Sequence, residues 1–219
     1  MTMPPKIKVC GLTRPHDVDA AIAAGADFIG FVRYAPSPRY VDDTQLAALA
    51  HRLPAHVTPV LLFVNATRLE VDAGISLVPN AILQFHGDET PEDCAQYGRP
   101  HWKVARIPTA PGAEGFNLLQ FVNTYPLADA ILLDAKIEAY GGGGKTFDWT
   151  AFPWSQPELN AKRRLVLSGG LTPANVIDGI QTTCPWAVDV SSGVEQSKGV
   201  KDPALMHAFC DAVRAAVAL

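Results

Sequence analysis

The chain has 219 residues, 48% of them hydrophobic and 18% charged, with a formal net charge of −4. That is a globular composition with a sizeable core to bury, and it excludes a disordered chain. The mild acidity argues against a nucleic-acid surface or an anionic membrane as partner, while leaving room for a local anion site.

The four cysteines, Cys10, Cys94, Cys184 and Cys210, form no CxxC pair and read as free thiols in a reducing cytoplasm. The six histidines make no HExxH and no cluster at metal-ligand spacing, so no metal or cofactor is expected. Met-Thr-Met-Pro-Pro-Lys is not followed by the apolar stretch of a signal peptide. Apolar runs such as Val60–Val64 fall far short of the roughly 20 residues that span a bilayer. A soluble cytoplasmic protein is the expectation.

In chain order, short apolar runs alternate with helical patterns. Ile7–Cys10 predicts a first strand, and His16–Ala24 a helix with Val18, Ala21, Ile22 and Gly25 at helical spacing. Asp27–Arg33 predicts strand two. Asp42-Asp43-Thr44 offers caps for a helix with Leu46, Leu49, Ala50 and Leu53 on one face, stopped by Pro54. Thr58–Val64 is strand three, Thr67–Val78 a helix, and Ala81–His86 strand four. Thr90-Pro91-Glu92-Asp93 opens a further helix. Trp102–Ile107 reads as a weaker fifth strand, followed by a helix near Glu114–Asn123. Asp129–Asp134 is strand six, and the Gly141–Gly144 loop leads to a short helix after Phe147-Asp148-Trp149. Arg164–Ser168 is strand seven, with a helix opened by Thr172-Pro173. Ala187–Val190 is strand eight, and a helix runs from Pro203 to about Val217.

Apolar strands alternating with helices imply an α/β fold with a parallel sheet covered on both faces. Eight units at this length point to one (β/α)₈ TIM barrel over residues 1–219. A doubly wound sheet is the competing architecture, because pattern alone does not show closure.

In such a barrel the chemistry gathers where strands end. Those positions hold Cys10, Arg39, His86, Asp134, Ser168-Gly169-Gly170, and Asp189 with Ser191-Ser192-Gly193. Gly169-Gly170 and Ser192-Gly193 suit a phosphate cradle, since glycine lets backbone N–H groups approach an anion; the alternative is plain tight turns. Asp134 is the acid–base candidate, or else a cap or ion-pair partner. Arg39 can clamp a carboxylate through its planar fork, or sit solvated in a loop. His86 can contact ligand or serve the structure. Cys94, Cys184 and Cys210 read as bystanders. Cys10 needs only modest help to ionise, given an ordinary thiol pKa of about 8.5.

These residues lie in the fragments KVCGLT (8–13), GFVRYAPSPR (30–39), QFHGDE (84–89), LLDA (132–135), GGGGKTFDW (141–149), LSGGLTPANV (167–176), VDVSSGVE (188–195) and GVKD (199–202). In order and spacing the set resembles the phosphoribosylanthranilate isomerase family of tryptophan biosynthesis. The resemblance implies an Amadori rearrangement of an aminoaldose, without metal or cofactor. It implies Asp134 as general acid, Cys10 as general base, and Arg39 on the anthranilate carboxylate. Gly169, Gly170, Ser192 and Gly193 would hold the phosphate, with Asp189 and His86 in supporting roles. It implies a small-molecule substrate and a monomer or homodimer. Gly143 stands where the family usually has threonine, and Phe85 where it usually has leucine. Two other readings stay open at this point: another phosphosugar-processing barrel enzyme, or a barrel that binds phosphate without turnover.

Overall fold

The computed structural model describes residues 4–108, 116–136, 147–152, 154, 159 and 164–216. Eight parallel strands close into a barrel in sequence order. They are β1 (Lys6–Cys10), β2 (Phe28–Val32), β3 (Thr58–Phe63), β4 (Ile82–Phe85), β5 (His101–Pro108), β6 (Ala130–Lys136), β7 (Arg164–Leu167) and β8 (Ala187–Val190). Closure comes from β8 against β1, where Lys6, Ile7, Lys8 and Val9 register with Ala187, Val188, Asp189 and Val190. The doubly wound alternative is excluded by that pairing.

Among the described residues the α-helices are α1 (Pro15–Ala24), α2 (Asp43–Ala50), α3 (Arg68–Leu77), α4 (Pro91–Ala95), α5 (Leu118–Thr124), α6 (Val176–Thr183) and α7 (Pro203–Ala215). Their boundaries follow capping chemistry. Asp42 with Gln45, Thr67 with Glu70 and Thr90 with Asp93 form reciprocal capping boxes, satisfying N–H groups that the first turn leaves free. Gly25 ends α1 in the left-handed conformation. None of these helices is long and apolar enough to cross a membrane.

Side chains alternate across each strand, and the alternation separates two cores. Outward residues such as Ile7, Val9, Ile29, Phe31, Leu61, Phe63, Ile131 and Leu133 pack under the helices. Inward residues Phe28, Val60, Trp102, Val104, Ala130, Leu132, Val166 and Ala187 fill the lower barrel. The same inward parity carries Lys8, Cys10, Asp134 and Asp189 to the upper rim.

Strand five, expected over Trp102–Ile107, is present: it spans eight residues and pairs with β6 through seven register positions from Trp102–Ala130 to Pro108–Lys136. Lys103 interrupts its apolar run, yet is buried because Nζ pairs with Glu89 Oε2 at 2.7 Å. The helix expected from Thr172-Pro173 begins at Val176, since the Asn175 side chain accepts from the Thr172 N–H and closes a turn first. An antiparallel hairpin, β9 (Glu195–Ser197) with β10 (Val200–Lys201), follows β8 unannounced by any pattern. The Gly141–Gly144 loop lies outside the described residues.

Candidate active site

Cys10 ends β1 with its side chain inward and 5% exposed. Beside it Val32, Leu62 and Val64, with Tyr34 packed against them, form a small apolar wall on the rim. Gly11 follows with φ +78°, and a Cβ there would sit 2.5 Å from Arg39 Cδ. Only glycine therefore lets the chain turn after Cys10 while Arg39 lies across the turn.

Arg39 is neither a solvated loop residue nor a free fork. It is 6% exposed, and its Nε and Nη2 donate to Glu195 Oε1 and Oε2 at 2.7 and 2.8 Å. That bidentate pair fixes the guanidinium plane. Glu195 also accepts from Lys201 Nζ at 2.8 Å, and Lys201 donates again to the Ser191 carbonyl at 2.9 Å. Ser191 in turn donates through Oγ to the Cys10 carbonyl at 3.1 Å. The hairpin thus ties the β2 loop to the end of β1.

Asp134 is the fifth residue of β6 and, like Ala130 and Leu132, faces inward. His86 Nε2 lies 3.3 Å from Asp134 Oδ2, within hydrogen-bonding distance. His86 Nδ1 is buried and, among the described residues, has no hydrogen-bond partner. Gly169 takes φ +82°, and a Cβ on it would come within 2.8 Å of Asp134 Oδ1. The glycine loop after β7 therefore packs directly on the carboxyl. Gly170 completes that loop, while Ser192 and Gly193 open a 3₁₀ turn after β8 whose backbone abuts the Leu171 carbonyl. The two glycine loops are neighbours on the rim.

Asp189 faces inward from β8 and accepts from Lys8 Nζ at 2.8 Å. Ser168 Oγ reaches its other oxygen at 3.4 Å. The structure thus gathers Cys10, Arg39, His86, Asp134, Asp189 and both glycine loops at one end of the barrel. Lys8, Glu195 and Lys201 join them without having been assigned a role from the sequence. One signal was available: Lys8 is a cation inside an apolar strand, and burying a lysine needs a reason.

The electrostatics correct one expectation. Burial pushes the Cys10 thiol up, and the nearby Asp189 carboxylate adds to that, while Lys8 and Lys201 pull it down without fully offsetting the burial. Burial works against the Lys8 ammonium too, but Asp189 and Cys10 outweigh it and its pKa is raised. Glu195 is held below the usual carboxylate range because Arg39 and Lys201 overcome its burial. Burial also pushes the other buried thiols up, Cys94 to about 12 and Cys210 to about 11. Among the described residues no three His, Cys, Asp or Glu side chains gather as a metal site.

The model of the N-(5′-phosphoribosyl)anthranilate (PRA) isomerase family matches residues 7–212. The chain belongs to that family. A relative from Leptothrix cholodnii, named N-(5′-phosphoribosyl)anthranilate isomerase, is 56% identical over 95% of this chain and 90% of its own. The crystal structure of phosphoribosyl anthranilate isomerase from Thermotoga maritima superposes with a TM-score of 0.83 at 35% identity, covering 96% of this chain and 99% of that one. Another solved family member, in complex with reduced 1-(o-carboxyphenylamino)-1-deoxyribulose 5-phosphate, matches with a TM-score of 0.80 at 31% identity, covering 96% and 99%. Family membership and the closed barrel agree with the resemblance read from the sequence fragments.

Proposed function

We propose that this chain carries out the reaction its family is named for, with Asp134 as general acid and Cys10 as general base. The substrate is N-(5′-phosphoribosyl)anthranilate. Asp134 donates a proton to the furanose ring oxygen as the C1–O bond breaks, and the nitrogen lone pair closes a C1=N Schiff base. Cys10, as thiolate, takes the proton from C2, and that C–H electron pair forms the C1=C2 bond of the enolamine. Protonation at C1 and loss of the C2 hydroxyl proton yield 1-(2-carboxyphenylamino)-1-deoxyribulose 5-phosphate. The chemistry needs one acid and one base.

One observation carries this reading. A buried thiol and a buried carboxyl face inward at the same end of one closed barrel, with the two glycine loops on the same rim. The wall of Val32, Leu62 and Val64 beside Cys10 suits an aromatic ring. Glu195 holds the Nε edge of Arg39, so the Nη1 and Nη2 side would meet the anthranilate carboxylate. Gly169, Gly170, Ser192 and Gly193 hold the phosphate through backbone N–H groups. His86 supports Asp134, and Asp189 acts through Lys8. Every residue named comes from one chain, so a monomer or a homodimer works equally well. Free thiols suit a cytoplasmic setting.

The test follows the loss of substrate fluorescence as the aminoaldose is consumed. The wild-type protein turns substrate over, and Cys10→Ala and Asp134→Asn each lower kcat by about 10²–10⁴-fold while keeping the fold, the usual scale for a positioned acid or base. Near-normal turnover in either folded variant removes the role assigned to that residue. Binding without turnover by the wild type would favour a non-catalytic phosphate-binding barrel.

A further inference from the structure

Lys8 and Lys201 lie at the barrel rim, carry out no proton transfer in the chemistry above, and are both fully buried. Lys8 stands two residues before Cys10 on β1, so both side chains point into the barrel. Its ammonium donates to Asp189 Oδ1 at 2.8 Å, and its positive charge favours the Cys10 thiolate. Lys201 meets three acceptors, Glu195 Oε1 at 2.8 Å, the Ser191 carbonyl at 2.9 Å and Ser191 Oγ at 3.4 Å. Three acceptors match the three N–H bonds of an ammonium.

The charges around Cys10 can be counted. Lys8, Lys201 and Arg39 are cations; Asp189 and Glu195 are carboxylates, and all five side chains are at most 8% exposed. One positive charge is left over. An uncompensated charge out of water is costly. The Cys10 thiolate brings the group to zero before substrate binds; afterwards the substrate carboxylate on Arg39 can do the same.

We propose that Lys8, held by Asp189, is a positioning residue that makes the buried Cys10 thiol ionisable. Lys8 acts through Cys10 and touches no reacting atom. The proposal rests on Cys10 being the base, but its readout does not. The charged groups acting on Cys10 are Lys8 from its own strand, Asp189 from β8, Lys201 from β10 and Arg39 from the loop after β2. Cations favour the thiolate and Asp189 opposes it. Removing Lys8 and removing Asp189 must therefore act in opposite directions, which damage to the fold would not do.

The experiment uses Lys8→Met, which keeps an unbranched stem and removes the charge, and Asp189→Asn. Thiolate ultraviolet absorbance against pH is measured for each protein as the difference from its Cys10→Ala counterpart, alongside kcat/KM against pH. In Lys8→Met the Cys10 midpoint rises by about one to two pH units, the scale set by one nearby opposite charge. The acid limb of kcat/KM moves with it, and activity returns at alkaline pH. In Asp189→Asn the midpoint falls. An unmoved midpoint in Lys8→Met, or an equal loss of kcat at every pH, overturns the proposal. Should Lys8→Met fail to fold, Lys8→Gln takes its place: a raised midpoint supports the proposal, and an unmoved or lower one overturns it. If Cys10→Ala proves fully active, the base assignment fails, while the absorbance midpoints still judge Lys8.

Discussion

The floor and the rim of this barrel are built from the same eight strands by opposite rules. The floor is apolar: Phe28, Trp102 and Trp186 meet ring against ring, with centroids 5.0 to 5.9 Å apart, beneath Val60, Val104 and Leu132. A few residues further along, the inward positions become Lys8, His86, Asp134 and Asp189, which are buried yet polar. On the floor, each residue is replaceable by anything of similar shape. At the rim each depends on a partner from another strand, so the order of strands is itself part of the chemistry.

Cutting away the floor gives the largest effect. Trp102→Ala removes a ring that is 1% exposed and should cost about 3–5 kcal/mol of stability, read as a lower urea midpoint. Its kcat should stay near wild type at temperatures where the variant is folded. A large loss of kcat in folded protein would show that floor and rim are not separable. A rim change should do the reverse. Gly169→Ala forces a Cβ towards Asp134 Oδ1 and holds a left-handed backbone that alanine dislikes, at about 1–3 kcal/mol. We expect kcat to fall by about tenfold or more with a smaller change in unfolding midpoint, because the strain falls on the proposed acid. An unchanged kcat would break the link between that loop and Asp134.

The smallest effect lies on the floor side, at the helix end that feeds β8. Cys184 caps α6 in the left-handed conformation with φ 44° and is exposed. Glycine is the residue suited to that position. Cys184→Gly should raise stability by up to about 1 kcal/mol and leave turnover alone. A drop in turnover would assign this thiol a role that its distance in the fold from the rim does not suggest.

The strands were legible because both of their faces are buried, which writes long apolar runs into the sequence. Cys10, Asp134 and Asp189 were legible for the complementary reason, as polar residues at the ends of such runs. Trp102–Ile107 gives a weaker signal because Lys103 and Arg106 break its run, and nothing local reveals that Lys103 finds Glu89. Glu195 and Lys201 stood inside recognisable fragments, but their partner Arg39 is 156 residues from Glu195. No periodicity carries a contact that long. His86 gained its place only when barrel closure brought β4 and β6 to the same mouth.

The Lys8–Asp189 bond joins residues 181 positions apart, on the first and last strands of the barrel. A ribosome making this chain releases Lys8 and Cys10 almost at once, and Asp189 only near the end. Until β8 docks, the lysine has no carboxylate to hold it and the thiol has no closed mouth to work in. A truncated or half-assembled barrel therefore carries an idle cysteine. The β8–β1 seam also completes the charge arrangement around the proposed base, so closing the barrel and assembling that arrangement go together.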